Sequence, residues 1–159
     1  MRTPMPGVSS EPSLSDAPLD RLACLLRHWV WADEAMTRFE RELADGWEEQ
    51  DSDPMSDHPF GAYYHWCALL CGLTEAARDA GLLSASALGP LREDLEASLP
   101  DLRRCRELLL AIPASMEEQP RIVDLLHDTR LTRLRRLHWA FGNALQNERT
   151  SREIGSLDH

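Results

Sequence analysis

The chain contains no lysine: all 17 of its basic residues are arginine, set against 27 Asp and Glu for a net charge of −10. Arginine-only usage is what a GC-rich bacterial genome produces, and it implies no mechanism. So acidic a chain argues against a protein whose main business is gripping nucleic-acid phosphates. No run of about eighteen consecutive apolar residues is present, which argues against a membrane span. The opening MRTPMPGVSSEPSLSDAP has no apolar core of the secretory type, so it reads as a disordered tail rather than a signal peptide. Cysteine is sparse, at four residues (Cys24, Cys67, Cys71 and Cys105) with no Cys-x-x-Cys. That usage predicts reduced, mostly buried thiols in a cytoplasmic protein. Cys67 and Cys71 share one helical face, a spacing that also permits a metal or redox pair. Missing too are a Gly-rich phosphate loop, a Ser/His/Asp signature and His-Glu-x-x-His, so an enzyme reading lacks its nucleophile. No run alternates polar and apolar residues long enough for a strand.

What remains is helical. Apolar residues make up 43% and charged residues 28%, the balance of a single globular domain, expected over residues 16–150 between a disordered tail (1–15) and a frayed end (151–159). In 17–45, Leu22, Leu25, Trp29, Ala32, Met36, Phe39 and Leu43 recur at helical spacing, and Gly46 suits the stop. Pro54 and Pro59 oppose helix in the acidic loop that follows. A second helix, 60–80, carries Trp66, Leu69, Leu73, Ala76 and Ala80 and ends at Gly81. A third, 90–112, should break or bend near Pro100, with Leu102, Cys105, Leu109 and Ile112 on its apolar face. Pro113 stops it, and Ser115 with Glu118 forms a capping box for a last helix over 116–148. The seam of that helix is Leu131, Leu134, His138, Phe141 and Leu145. Short connectors between four helices predict antiparallel neighbours, hence an all-α, up-down four-helix-type bundle.

His138 stands where the last seam asks for an apolar residue. It is either a core histidine bonded to a carbonyl or carboxylate, or a ligand or acid–base group facing the bundle centre. The other seams offer no evident acidic partner for it, and no Glu-x-x-His pair suggests a di-iron site. Arg130, Arg133, Arg135 and Arg136, with Arg103, Arg104 and Arg106, form either a positive face or ion pairs within the bundle. Residues 1–60 hold 13 acidic residues against 5 Arg, whereas 121–139 hold 5 Arg against 2 Asp.

Two local patterns resemble known families. His28 in RHWVWADEAM resembles the opening helix of DinB-like bundles, which bind a metal through three histidines on different helices. That resemblance implies His28, His65 and His138 as ligands, although the later histidine-rich motif of the family is missing. Arg133 and His138, in RLRRLH, are spaced as in the Arg-x4-His motif of HEPN ribonucleases, with Leu134 where a polar residue is usual.

A longer resemblance runs over about residues 29–83. Tyr63-Tyr64-His65-Trp66, an apolar helix and then Gly81-Leu82-Leu83 are similar to the Tyr-Tyr-x-His-Trp helix of nitrile hydratase β subunits. Thiocyanate hydrolase β subunits and nitrile hydratase accessory proteins carry similar helices. Trp31, Ala35, Met36 and Gly46 are similar in spacing to the helix before it. One residue is missing inside the Tyr-Tyr-x-His-Trp motif here, and the helix to Gly81 is about one turn longer. In that family the iron or cobalt sits in a Cys-rich claw of the α subunit, and this chain has no such claw. The resemblance therefore implies a non-catalytic accessory or β-like subunit that binds no cofactor alone and meets another protein chain, a Cys-rich metal-binding subunit, through Tyr63, Tyr64, His65 and Trp66. Tyr and Trp suit such a role because they join a large apolar area to a polar tip. The same four residues could equally plug one end of the core.

Overall fold

The computed structural model describes residues 17–45, 59–81, 89–110 and 129–157. Among them are four α-helices: α1 (Ala17–Ala44), α2 (Pro59–Asp79), α3 (Arg92–Leu110, entered through a 3₁₀ turn at Gly89–Leu91) and α4 (Thr129–Leu157). No strand occurs among the described residues. None of the helices is long and apolar enough to cross a membrane.

Each helix follows from its spacing. On α1 the predicted seam is the buried face: Leu22, Leu25, Ala32, Met36 and Phe39 are buried, with Trp29 and Leu43 packed at its edge. On α4 all five predicted seam residues are buried, joined by Leu137 and Ala144. The α2 seam is wider than periodicity suggests, because α2 packs against both α1 and α3. Its inward residues are Ala62, Tyr63, Tyr64, Trp66, Cys67, Leu70, Cys71, Leu73, Thr74 and Ala77. Ala80, expected inside, is exposed. Gly81 ends α2 as expected: it adopts the left-handed conformation (φ 72°), and its N–H bonds the Arg78 carbonyl at 3.0 Å. Only glycine takes that conformation without steric cost.

Three expectations are corrected. First, of the break or bend expected near Pro100, the break does not occur: α3 runs through Pro100. Proline removes one intrahelical N–H, but Pro100 and Glu96, four residues earlier, both face solvent, where water can take the orphaned carbonyl. Second, Leu108, not Leu109, completes the inner face of α3, beyond Leu95, Leu99, Leu102 and Cys105. Third, α4 does not fray at 148 but stays helical to Leu157. Its last turns carry the pairs Arg152–Glu148 (3.0 Å) and Arg149–Glu153 (2.7 Å), the i,i+4 arrangement that supports an exposed helix. The capping box Ser115/Glu118 and Ile112 lie outside the described residues.

Contacts between helices establish the direction of the chain. Glu40 meets Arg135 while Asp33 meets His138, so α1 and α4 are antiparallel. Asp94 meets Arg136 while Asp101 meets Arg130, so α3 and α4 are antiparallel as well. Phe39, near the end of α1, packs on Tyr63 near the start of α2. The result is the all-α up-down bundle.

Candidate functional site

Where α1, α2 and α4 meet, their polar groups converge on His138. Its side chain has no solvent exposure, so each ring nitrogen needs a partner inside the protein. Nε2 lies 3.0 Å from Asp33 Oδ1 on α1. Nδ1 accepts the indole N–H of Trp66 on α2 at 3.3 Å. Because an indole nitrogen can only donate, Nδ1 must carry the lone pair and Nε2 the proton. The imidazole is therefore neutral, donating to a carboxylate at one end and accepting from an indole at the other.

Aromatic rings enclose this array. Trp29 stacks on His138 at 5.3 Å between centroids, with an interplanar angle of 22°. Its own N–H donates to the His138 carbonyl at 3.0 Å. Trp66 and Trp139 meet the imidazole edge-on. The Trp29 indole comes this close because position 142, one turn beyond His138 on α4, is a buried glycine. Any Cβ there would overlap the ring, with Trp29 Nε1 only 2.8 Å away.

Burial pushes the His138 pKa below its ordinary 6.5, because the interior penalises the charged form. The Asp33 carboxylate opposes that shift without overcoming it. A His–Asp pair of this kind resembles the orienting half of a nucleophile-activating triad. Here, however, the nitrogen that would face a nucleophile is occupied by Trp66. As arranged, the site locks three helices together and offers no base to a substrate.

Asp33 is the partner that sequence reasoning missed. It follows Trp29 by four residues on α1, on the flank of the apolar seam, and its side chain keeps about a third of its exposure. The legible signal was that i,i+4 pair, Trp then Asp, beside the seam. Gly142 carried a similar signal, standing four residues after the seam histidine.

The remaining candidates are dispersed. His28 is exposed on α1, its Nδ1 at 2.9 Å from the Cys24 carbonyl. His65 is exposed on α2. The proposed three-histidine set is therefore not assembled, and among the described residues no three His, Cys, Asp or Glu side chains form a group that would hold a metal ion. Arg133 is half-buried, and five residues along a helix place it about 140° around the axis from His138. His138 is sealed in the core, out of reach of a phosphodiester. Of the aromatic quartet, Tyr63, Tyr64 and Trp66 are buried and only His65 faces solvent. As contact residues for a partner, those three are corrected: Tyr63 and Trp66 pack against Phe39, and burial raises the pKa of both tyrosines. The arginines of α3 and α4 are mostly paired within the bundle. Arg103 and Arg106 bracket Glu75 at 2.8 and 2.9 Å and hold its carboxyl below the usual range. Arg135 pairs with Glu40 at 2.8 Å and Arg136 with Asp94 at 3.0 Å.

Comparison with protein-family models, with curated proteins and with solved structures finds no match to this chain.

Proposed function

We propose that the chain is a protein-interaction or accessory subunit without a reaction centre of its own. The observation that carries this reading is the contrast among its tryptophans. Trp66 is wholly buried, yet Trp31 on α1 and Trp139 on α4 keep 46% and 52% of their surface exposed. Half-exposed indoles are the residue type most enriched among binding hot spots, because they bury a large rigid area at small entropic cost. Val30, 45% exposed, adds apolar surface to α1. His138, the buried imidazole, has both nitrogens engaged, which supports a structural role for it.

In its sharpest form, the chain is the β-like component of a nitrile-hydratase-type complex whose metal belongs to a Cys-rich partner subunit. That form rests on the resemblance over residues 29–83. With Tyr63, Tyr64 and Trp66 inside the bundle, contact with the partner falls to His65, Trp31 and Trp139.

Co-expression of the full chain with a subunit carrying a Cys-Thr/Ser-Leu-Cys-Ser-Cys claw, encoded beside it, tests this reading by size exclusion. The expected result is co-elution that is lost in Trp31→Ala/Trp139→Ala while circular dichroism is unchanged. Elution of the chain alone, or a complex indifferent to both substitutions, refutes it.

A further inference from the structure

The side of α1 turned away from the core carries a regular pattern of charge. Asp20, Arg27, Glu34 and Arg41 recur every seven residues, which sets them in one row along the helix, and all four are exposed. Other charges of α1 are paired within the chain: Arg38 meets Glu42 at 2.7 Å and Glu40 meets Arg135 at 2.8 Å. By contrast, no ion pair joins any of the four to another described residue. At the middle of the row, between Arg27 and Glu34, stand the half-exposed Val30 and Trp31. The signs thus run negative, positive, apolar centre, negative, positive. Such a row is its own complement when reversed.

We propose that two copies of this chain pair through the outer face of α1, the two helices antiparallel about a two-fold axis between residues 30 and 31. Turning a second copy end for end sets Arg27 opposite the partner's Glu34 and Asp20 opposite the partner's Arg41. The two-fold repeats both contacts, which makes four ion pairs, and Val30 and Trp31 fall beside the axis against their own copies. Other two-fold alignments along the row fail. Parallel helices set every charge against its like. Slipping the antiparallel pair by seven residues does the same, bringing Arg27 onto Arg27 or Glu34 onto Glu34. Like charges opposed across an interface disfavour that register.

The face is apolar at its middle and charged toward both ends, the anatomy of an interface core and rim. It is also short. From Asp20 to Arg41 the helix rises about 32 Å, and one helix pair of that length lies at the small end of specific interfaces. The dimer is therefore weak, held in register by charge and loosened by salt. This inference goes beyond the accessory-subunit reading and does not rest on it. Trp29, which meets Trp139 of α4, lies about 160° around α1 from Trp31, so the pairing leaves the α4 side uncovered.

The test runs the full chain alone by sedimentation velocity, over a wide range of concentration at low and at high salt. Reductant is present so that exposed Cys24 cannot supply a disulfide. The expected result is a monomer–dimer equilibrium that high salt shifts toward monomer. Arg27→Glu and Glu34→Arg should each raise the dissociation constant about tenfold or more, with circular dichroism unchanged. An equimolar mixture of the two variants should recover the dimer, because each chain supplies the sign that the other lacks at both contacts. Monomer at every concentration up to about 0.2 mM, a dimer indifferent to the single reversals, or a mixture that stays monomeric overturns the proposal. A dimer of the unmutated chain that salt leaves unchanged or strengthens overturns it too, even where a variant fails to fold. Failure to co-elute with a Cys-rich subunit bears on the accessory-subunit reading alone.

Discussion

Replacing Gly142 by alanine sets two well-measured effects against each other. Glycine inside a helix is worse than alanine by about 1 kcal/mol, so on propensity alone Gly142→Ala should stabilise α4 by that amount. Packing points the other way, because the added Cβ would occupy the space of the Trp29 indole. If the ring stays, the overlap costs about 1–3 kcal/mol. If it swings outward, it loses its 3.0 Å hydrogen bond to the His138 carbonyl, worth about 1 kcal/mol, together with its stacking on the imidazole, worth about 0.5–1.5 kcal/mol. Set against the propensity gain, the clash leaves about 0–2 kcal/mol of net loss and the swing about 0.5–1.5 kcal/mol, so Gly142→Ala should destabilise by about 0.5–1.5 kcal/mol. Urea unfolding followed by circular dichroism reads this directly as a lower midpoint at unchanged slope. Trp29→Leu provides the internal control: with the indole gone, Gly142→Ala should become neutral or stabilising, a coupling expected only of residues in contact. A Gly142→Ala chain more stable than the parent, with Trp29 in place, would refute the packing of α1 on α4 described above.

Four other outcomes follow from the same structure. Trp66→Ala removes the largest fully buried side chain among the described residues and the donor to His138 Nδ1, and should cost about 3–5 kcal/mol in urea unfolding. The His138 pKa lies lower in the folded chain than its ordinary 6.5, so its contribution is fully present above that value and is lost as pH falls below it, when the unfolded chain takes up the proton. Stability should therefore decline as pH falls through about 6.5, and the decline should be shallower in His138→Gln. Glu75→Gln breaks a part-exposed double ion pair and should cost no more than about 1 kcal/mol, less in high salt, as a thermal melt series will show. Truncation after Gln146 removes α4 residues of which none from 147 to 155 is buried; helical dichroism should fall, whereas the unfolding midpoint should stay within about 0.5 kcal/mol of the parent.

The helical nature of this chain, the position of α1 and the α4 seam with its histidine were legible in the sequence. Each rests on side chains repeating every three or four residues, a property of one helix by itself. Gly81 was legible for a similar reason, since a left-handed stop is a local demand. The breadth of the α2 face was not. A helix between two neighbours buries residues on two sides, and nothing in its own periodicity says how many neighbours it has. That α3 continues across Pro100 was not legible either, because the cost of a helical proline depends on whether water reaches the freed carbonyl, which tertiary placement decides.

The candidate site divides along the same line. The sequence by itself determined that an imidazole lies on an apolar seam, which requires hydrogen-bond partners without naming them. Only the tertiary structure decided that these partners are Asp33 and Trp66, drawn from two other helices, and that Tyr63, Tyr64 and Trp66 turn inward while Trp31 and Trp139 remain at the surface. The physical reason is that pairing across helices depends on their relative rotation and register. Those are set by the whole core at once, and no single stretch of residues encodes them.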